Sequence, residues 1–168
     1  QAGASYPGRL ANALGPEGWR KLAADCVPKA DTIADGMRTL IEEELRYLEA
    51  QWPRDLPRGI VHADLFPDNV LFASDRISGI IDFYFACNDF LAYDLAVTLN
   101  AWCFEPDGAF NLTKAKALAS GYASKRPLAT SERTAFPVLC RGAALRFLLT
   151  RLYDLIHHNP LALVQPKD

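Results

Sequence analysis

The sequence predicts an α+β fold, mostly helical, with one small β patch set between two helical stretches. Three observations predict it. Apolar residues recur at threes and fours from Asp31 to Trp52 and again from Leu91 onward. Between those stretches the helical period gives way to short apolar runs with β-branched residues. Pro53 and Pro57 mark the first change of pattern, and the turn residues Ser74, Asp75 and Arg76 divide the patch.

Residues 1–16 carry three Gly and two Pro, which predicts a loop with at most a short helix. Gly18 to Cys26 reads as a helix packing Trp19 and Leu22. Asp31 to Trp52 reads as one long amphipathic helix. Its apolar face is Ile33, Met37, Leu40, Ile41, Leu45 and Leu48, with Glu42 to Glu44 on the wet side. The strands are expected at Gly59 to His62, Val70 to Ala73 and Ile77 to Ile81. Helices follow at Leu91 to Phe104, Thr113 to Lys125 and Ser131 to His157. Pro137 should split or kink the last of these. No internal repeat and no low-complexity tract interrupts this order.

A chain of 168 residues suits a single domain with a real core. Half the residues are hydrophobic and 23% are charged, the composition of a globular protein rather than a disordered one. The formal net charge of -2 gives no general pull toward nucleic acid or an anionic membrane, so neither is expected as a partner. Any polyanion must be bound locally. The apolar stretches are broken by Asp94, Arg141, Arg146 and Arg151, and none reads as a membrane span. No basic-then-apolar signal segment is present. Cys26, Cys87, Cys103 and Cys140 form no C-x-x-C pair and have no His at metal-ligand spacing. They read as buried, reduced thiols of a cytoplasmic protein. The first residue is Gln1 and the only methionine is Met37, so the chain is not expected to begin at a natural start.

The chemistry is concentrated in Ile60-Val61-His62-Ala63-Asp64-Leu65-Phe66-Pro67-Asp68-Asn69-Val70-Leu71-Phe72. It holds H-x-D, four residues, then Asn. That is the spacing of a kinase catalytic loop, in which Asp takes the hydroxyl proton and Asn binds magnesium. Phosphoryl transfer needs a base at the acceptor oxygen and a metal across the phosphates, a few ångströms apart. A tight loop between two short strands can aim both into one cleft. A second carboxylate follows in Ile80-Ile81-Asp82-Phe83, at the tip of an apolar strand, where it can chelate the same metal. Each residue alone has a plainer reading. Asp64 could cap a turn, Asn69 could sit in one, and Asp82 could end a strand. Their order and spacing together favour the kinase reading.

This segment resembles the catalytic loop of the aminoglycoside phosphotransferase and choline kinase superfamily, H-G-D-x-x-x-x-N followed by I-D. Ala63 stands at the usual Gly, and Tyr84 stands where protein kinases have the Gly of D-F-G. Within that superfamily the chain is most similar to bacterial homoserine kinases. The likeness lies in His62 to Asn69, Ile81 to Asp89, Tyr93-Asp94-Leu95-Ala96, and Leu99-Asn100-Ala101-Trp102-Cys103-Phe104-Glu105. Arg141 to Phe147 and Thr150 to Asp154 continue it.

The resemblance implies a protein-kinase-like carboxy-terminal lobe over residues 1–168, with the β patch carrying the catalytic loop. It implies an amino-terminal nucleotide-gripping lobe outside this chain, a short continuation after Asp168, and no kinase activity from the chain alone. ATP and Mg²⁺ are the implied cofactors and L-homoserine the implied partner, phosphorylated on its hydroxyl on the way to threonine. A kinase for choline, an aminoglycoside or another amino alcohol is the near alternative. A non-catalytic lobe that binds a ligand or partner is the alternative of another class.

By the same resemblance Asp64 is the base, His62 braces the loop, and Asn69 and Asp82 hold metal and nucleotide. Asp94 steadies the loop, or else caps a helix or faces solvent. Homoserine offers a carboxylate and an ammonium. Arg141 and Arg146 are candidates for the carboxylate, or else form ion pairs with Asp89, Asp94, Asp154 or Glu105. Asp89 and Glu105 are candidates for the ammonium. Trp102 is either core or a pocket wall, and His157 and His158 complement a helix C-terminus.

Overall fold

A computed structural model describes residues 7–158 of the chain. Their order is two helices, a set of short strands, then three helices. The helices are α1 (Pro16–Ile33), α2 (Met37–Gln51), α3 (Leu91–Trp102), α4 (Leu112–Lys125) and α5 (Thr130–His157). The strands are β1 (Arg58–Val61), β2 (Val70–Ala73), β3 (Arg76–Ile80) and β4 (Cys87–Phe90). The chain divides into two compact units. One takes in the chain up to Asn12 together with Pro53–Ala143, and the other takes in Ala13–Trp52 with the chain from Ala144 on.

The second unit is built on α1 and α2, which pack against each other. The expected helix from Asp31 to Trp52 is two elements, not one. Asp31 to Ile33 end α1, and Gly36 then turns the chain at a φ of 78°, a left-handed conformation that glycine adopts without a Cβ penalty. Asp31 reaches across the break, where its Oδ1 accepts the Arg38 N–H at 2.9 Å, one of the amides left orphaned at the start of α2. The break also redistributes the predicted apolar face. Ile41 and Leu48 are fully buried, while Leu40 and Ile33 are exposed. α1 is longer than Gly18 to Cys26 because Pro16 starts it and Pro28 does not end it. The carbonyl that Pro28 leaves without a donor belongs to Ala24, which faces water.

Gly18 marks a close approach. A Cβ there would lie 1.9 Å from the Ala13 carbonyl oxygen, and the next residue, Trp19, donates its indole N–H to the Leu14 carbonyl at 2.7 Å. Gly18→Ala is therefore expected to lower stability by about 2 kcal/mol through overpacking against backbone. A urea unfolding curve measures it, and an unchanged midpoint would contradict the close approach.

The first unit carries the β structure. It is two separate two-stranded antiparallel sheets rather than one patch, β1 with β4 and β2 with β3. β4 was not expected, because Asn88 and Asp89 are poor strand formers. It is held from both sides. Cys87 to Phe90 pair with Val61 to Arg58. Asn88 also exchanges two bonds with Leu10, its N–H to the Leu10 carbonyl at 2.8 Å and its Oδ1 from the Leu10 N–H at 2.8 Å. β2 and β3 form a hairpin across Ser74 and Asp75, with Ser74 at a φ of 57° and a register shift after Leu71 that leaves Ser78 as the extra residue. β3 begins and ends one residue earlier than expected, so Ile81 lies beyond it.

α3 packs on β1, β4 and α4. It stops at Trp102 rather than Phe104, since Phe104 pairs with Phe110 across a tight loop. Pro137 does not split α5. The carbonyl it deprives is that of exposed Arg133. The start of α5 is set by Glu132. This carboxylate is fully buried and accepts the Ala129 N–H at 2.8 Å and Arg126 Nη2 at 2.8 Å. Arg126→Ala would leave Glu132 buried with one partner fewer, and about 2–3 kcal/mol of stability should go with it. Thermal unfolding reads this, and an unaltered transition would show that water takes the place of Arg126.

Among the described residues no helix is long and apolar enough to cross a membrane. The four cysteines form no disulfide. Burial raises the thiols of Cys26 and Cys103 and pushes Cys140 up to about 12, so these are packing residues rather than nucleophiles.

Candidate active site

Asp64 and Asn69 lie on the loop joining β1 to β2, and the chain comes back to that loop just past the end of β3. Asn69 closes the loop. Its Nδ2 donates to the Asp64 carbonyl at 2.7 Å and lies 3.4 Å from Asp64 Oδ2. Within the loop the Phe66 N–H bonds the Asp64 carbonyl at 2.9 Å, and the Asn69 N–H bonds the Phe66 carbonyl at 3.0 Å. Pro67–Asn69 form a single 3₁₀ turn that carries the chain into β2. With Nδ2 spent on Asp64, the amide atom that Asn69 has left to offer is an oxygen.

Asp82 is brought in by backbone bonds. The Ile81 N–H donates to the Asn69 carbonyl at 3.0 Å, and Val70 pairs with Ile80 in the hairpin. Asp82 then takes a φ of 60° and starts a 3₁₀ turn over Phe83–Phe85. Asp tolerates that left-handed conformation better than most residues. Its carboxylate is exposed. It therefore stands at a sharp turn rather than at the tip of a continuing strand.

His62 ties these pieces together. Its Nδ1 accepts the Asp64 N–H at 3.3 Å, and its Nε2 lies 2.9 Å from the Ile81 carbonyl. The first bond makes Nδ1 the acceptor, so the network assigns the proton to Nε2. One buried ring thus joins the residue before Asp82 to Asp64 itself. The ring also sits 4.7 Å from that of Phe83.

α3 holds the loop from beneath. Asp94 is the fourth residue of the helix, not its cap, and it is half-buried. Its Oδ1 accepts the Ala63 N–H at 2.7 Å, and its Oδ2 accepts the His62 N–H at 3.3 Å. Ala63 has a φ of 61° and is 1% exposed. A residue with a Cβ pays roughly 1–2 kcal/mol in that conformation, and the grip of Asp94 on both flanking amides offsets it. Eight residues on, Trp102 donates its indole N–H to the Leu65 carbonyl at 2.8 Å. This bond is not among the sequence-based expectations. Its signal is the spacing, since Asp94, Thr98 and Trp102 recur at four and share one helix face.

The remaining candidates come from other elements of the chain. Asp89 is on β4, where it accepts Asn12 Nδ2 at 2.7 Å and the Phe90 N–H at 2.7 Å, with Arg58 Nη1 at 3.9 Å. Glu105 accepts from Lys114 Nζ at 2.9 Å and from Asn111 Nδ2, the second bond being the larger cause that holds its carboxyl below the usual range. Arg141 is exposed and belongs to the same unit as the loop. Arg146 is 3% exposed and belongs to the other. His157 Nδ1 lies 2.9 Å from the Tyr153 carbonyl, one turn back on its own helix.

No group of three or more His, Cys, Asp and Glu side chains suited to a metal occurs among the described residues. The donors on hand are the Asn69 amide oxygen and the Asp82 carboxylate. Two oxygens fit a hard cation that keeps water and phosphate for its other positions, and would not fit a structural metal held by protein alone.

Comparison with known proteins places these residues in context. Residues 3–128 match the family model described as "Phosphotransferase enzyme family". A homoserine kinase of Nitrobacter hamburgensis is 57% identical over 167 residues, covering 99% of this chain and 51% of the relative. One from Methylocella silvestris is 59% identical over 167 residues, covering 99% and 52%. One from Rhizobium meliloti is 56% identical over 168 residues, covering 100% and 52%. The chain thus spans about half the length of the curated relatives it matches. The crystal structure of an aminoglycoside-3'-phosphotransferase of type VIII superposes with a TM-score of 0.56 at 24% identity, over 82% of this chain and 53% of that one. That likeness shows the fold, the mostly helical, protein-kinase-like α+β arrangement expected from the sequence.

Proposed function

This chain belongs to the phosphotransferase enzyme family, and we propose that it is the catalytic half of a kinase that transfers the γ-phosphoryl group of ATP to the side-chain hydroxyl of L-homoserine. The observation that carries the reading is the closed loop, in which Asn69 bonds Asp64 through its side chain and Ile81 through its carbonyl. Base side and metal side are thereby held on one short stretch of backbone.

In this reading Asp64 orients the acceptor hydroxyl and takes its proton as the new O–P bond forms and ADP departs. His62 is a positioning residue, since both of its ring nitrogens are engaged within the loop network. Asn69 and Asp82 would hold Mg²⁺, which would supply positive charge to offset that on the transferred group. Asp89 is engaged within its own sheet region by Asn12, the Phe90 N–H and Arg58. Arg141 remains a candidate for the homoserine carboxylate, because it is exposed in the unit that carries the loop. The lobe that grips the nucleotide is supplied by the rest of the polypeptide, so residues 1–168 by themselves should give no phosphoryl transfer. The choice of homoserine over choline or an aminoglycoside rests on the identity of 56–59% to homoserine kinases along nearly the whole chain.

The test is ADP formation by the full-length polypeptide with Mg-ATP and a panel of acceptors. Homoserine should support turnover well above the no-acceptor rate, and choline and kanamycin should not. Turnover with either of those and none with homoserine would overturn the acceptor assignment. No turnover with any of the three would overturn the kinase reading.

A further inference from the structure

The loop carrying Asp64 is held by α3 at both ends of the helix. Asp94, in the first turn, takes the His62 and Ala63 N–H groups, and Trp102, the last residue, gives its indole N–H to the Leu65 carbonyl. Asp64 lies between those two attachments. α3 is itself tied to α5, with Asn100 Nδ2 donating to the Cys140 carbonyl at 2.8 Å. The Trp102 ring is half-buried and meets Phe72 of β2 edge-on, centroids 6.4 Å apart.

We propose that Trp102 is a positioning residue for the phosphoryl-transfer step, its indole N–H setting the Leu65 carbonyl and with it the placement of Asp64. The carbonyls on either side of Leu65 are satisfied inside the loop, that of Asp64 by the Phe66 N–H and Asn69 Nδ2 and that of Phe66 by the Asn69 N–H. Trp102 thus ties the residue directly after Asp64 to α3. Without it the loop keeps its internal bonds and the Ile81–Asn69 bond, but loses its attachment to the helix next to Asp64. A small displacement of a catalytic group lowers the rate without touching the binding of remote parts of the substrate. The proposal rests on the kinase reading for its rate effect but not for the anchoring itself, and the experiment separates the two.

The variant is Trp102→Phe in the full-length polypeptide. It keeps an aromatic ring beside Phe72 and removes the donor together with part of the ring. A second form carries a benzothiophene side chain at position 102, which has nearly the shape of indole and no N–H, so that folding is preserved should the phenylalanine form be unstable. Two readouts are taken on each. Hydrogen exchange of the Ala63 to Phe66 amides should speed up relative to wild type while the β1–β4 amides are unchanged. With Mg-ATP and homoserine, kcat should fall about five- to tenfold, the scale of one neutral hydrogen bond, with the KM values for ATP and homoserine held. Unchanged exchange in a folded variant overturns the anchoring. A raised KM for homoserine with kcat intact also overturns the proposal, because Trp102 would then be a wall of the acceptor pocket. Faster exchange in a protein whose wild-type form phosphorylates nothing would uphold the anchor and reject its assigned role in catalysis, leaving the kinase reading as the part that failed.

Discussion

Asp64→Asn in the full-length polypeptide is expected to lower kcat by roughly 10²–10⁴-fold, with the KM for ATP held within about twofold. The substitution keeps the size of the side chain and its ability to accept from Asn69 Nδ2, which lies 3.4 Å from Asp64 Oδ2. It does not disturb the backbone bonds that close the loop, since those use the Asp64 carbonyl and N–H. What it removes is a group able to take the acceptor proton. The loss should thus appear in the chemical step and not in nucleotide binding. Unfolding midpoints should match the wild type, because the amide keeps an acceptor oxygen for Asn69 Nδ2. Near-wild-type turnover would sink the base role.

Asp94→Ala should damage both fold and rate. Its two oxygens serve two buried amides, His62 N–H and Ala63 N–H. Removing both leaves them without these acceptors in a region where Val61 and Ala63 are almost fully buried. Each orphaned amide costs about 1–3 kcal/mol, so a loss near 3 kcal/mol is expected after relaxation. The left-handed turn at Ala63 is held by the same pair of bonds, and its release should shift Asp64 enough to cost about a hundredfold in kcat. Asp94→Asn offers one acceptor and one donor in place of two acceptors, and should fall between the alanine form and the wild type. Urea unfolding and steady-state rates measured on the same preparations decide it. Full stability in the alanine form would show that water replaces the carboxylate.

The candidate site was legible because its residues are close in sequence. His62, Asp64 and Asn69 lie on one loop, and Asp82 follows a hairpin whose apolar residues announce it. The helices were legible where the period of threes and fours ran unbroken, as in α3 and α4. Two kinds of feature were not. The first is structure made by long-range pairing, such as β4, which exists because β1 and Leu10 flank it. The second is the work done by isolated residues. Pro28 and Pro137 sit inside helices because the carbonyls they deprive face water, whereas Gly36 ends a periodic pattern that would otherwise read as continuous. The Arg126–Glu132 pair joins residues that carry no mutual signal in sequence. Arg141 and Arg146 were grouped by their shared helix, and the structure separates them by burial and by unit.

The central claim is that Asn69 and Asp82 are the metal side of a phosphate site. Calorimetric titration of ATP into the full-length polypeptide, with Mg²⁺ and then with EDTA, tests it most directly, on wild type and on Asp82→Asn. Asparagine tolerates the φ of 60° at this position, so the backbone turn is preserved and only the charge is lost. Mg²⁺ should strengthen ATP binding by roughly tenfold or more in the wild type, and that gain should disappear in the variant while metal-free binding stays the same. An equal gain from Mg²⁺ in both proteins would contradict the account.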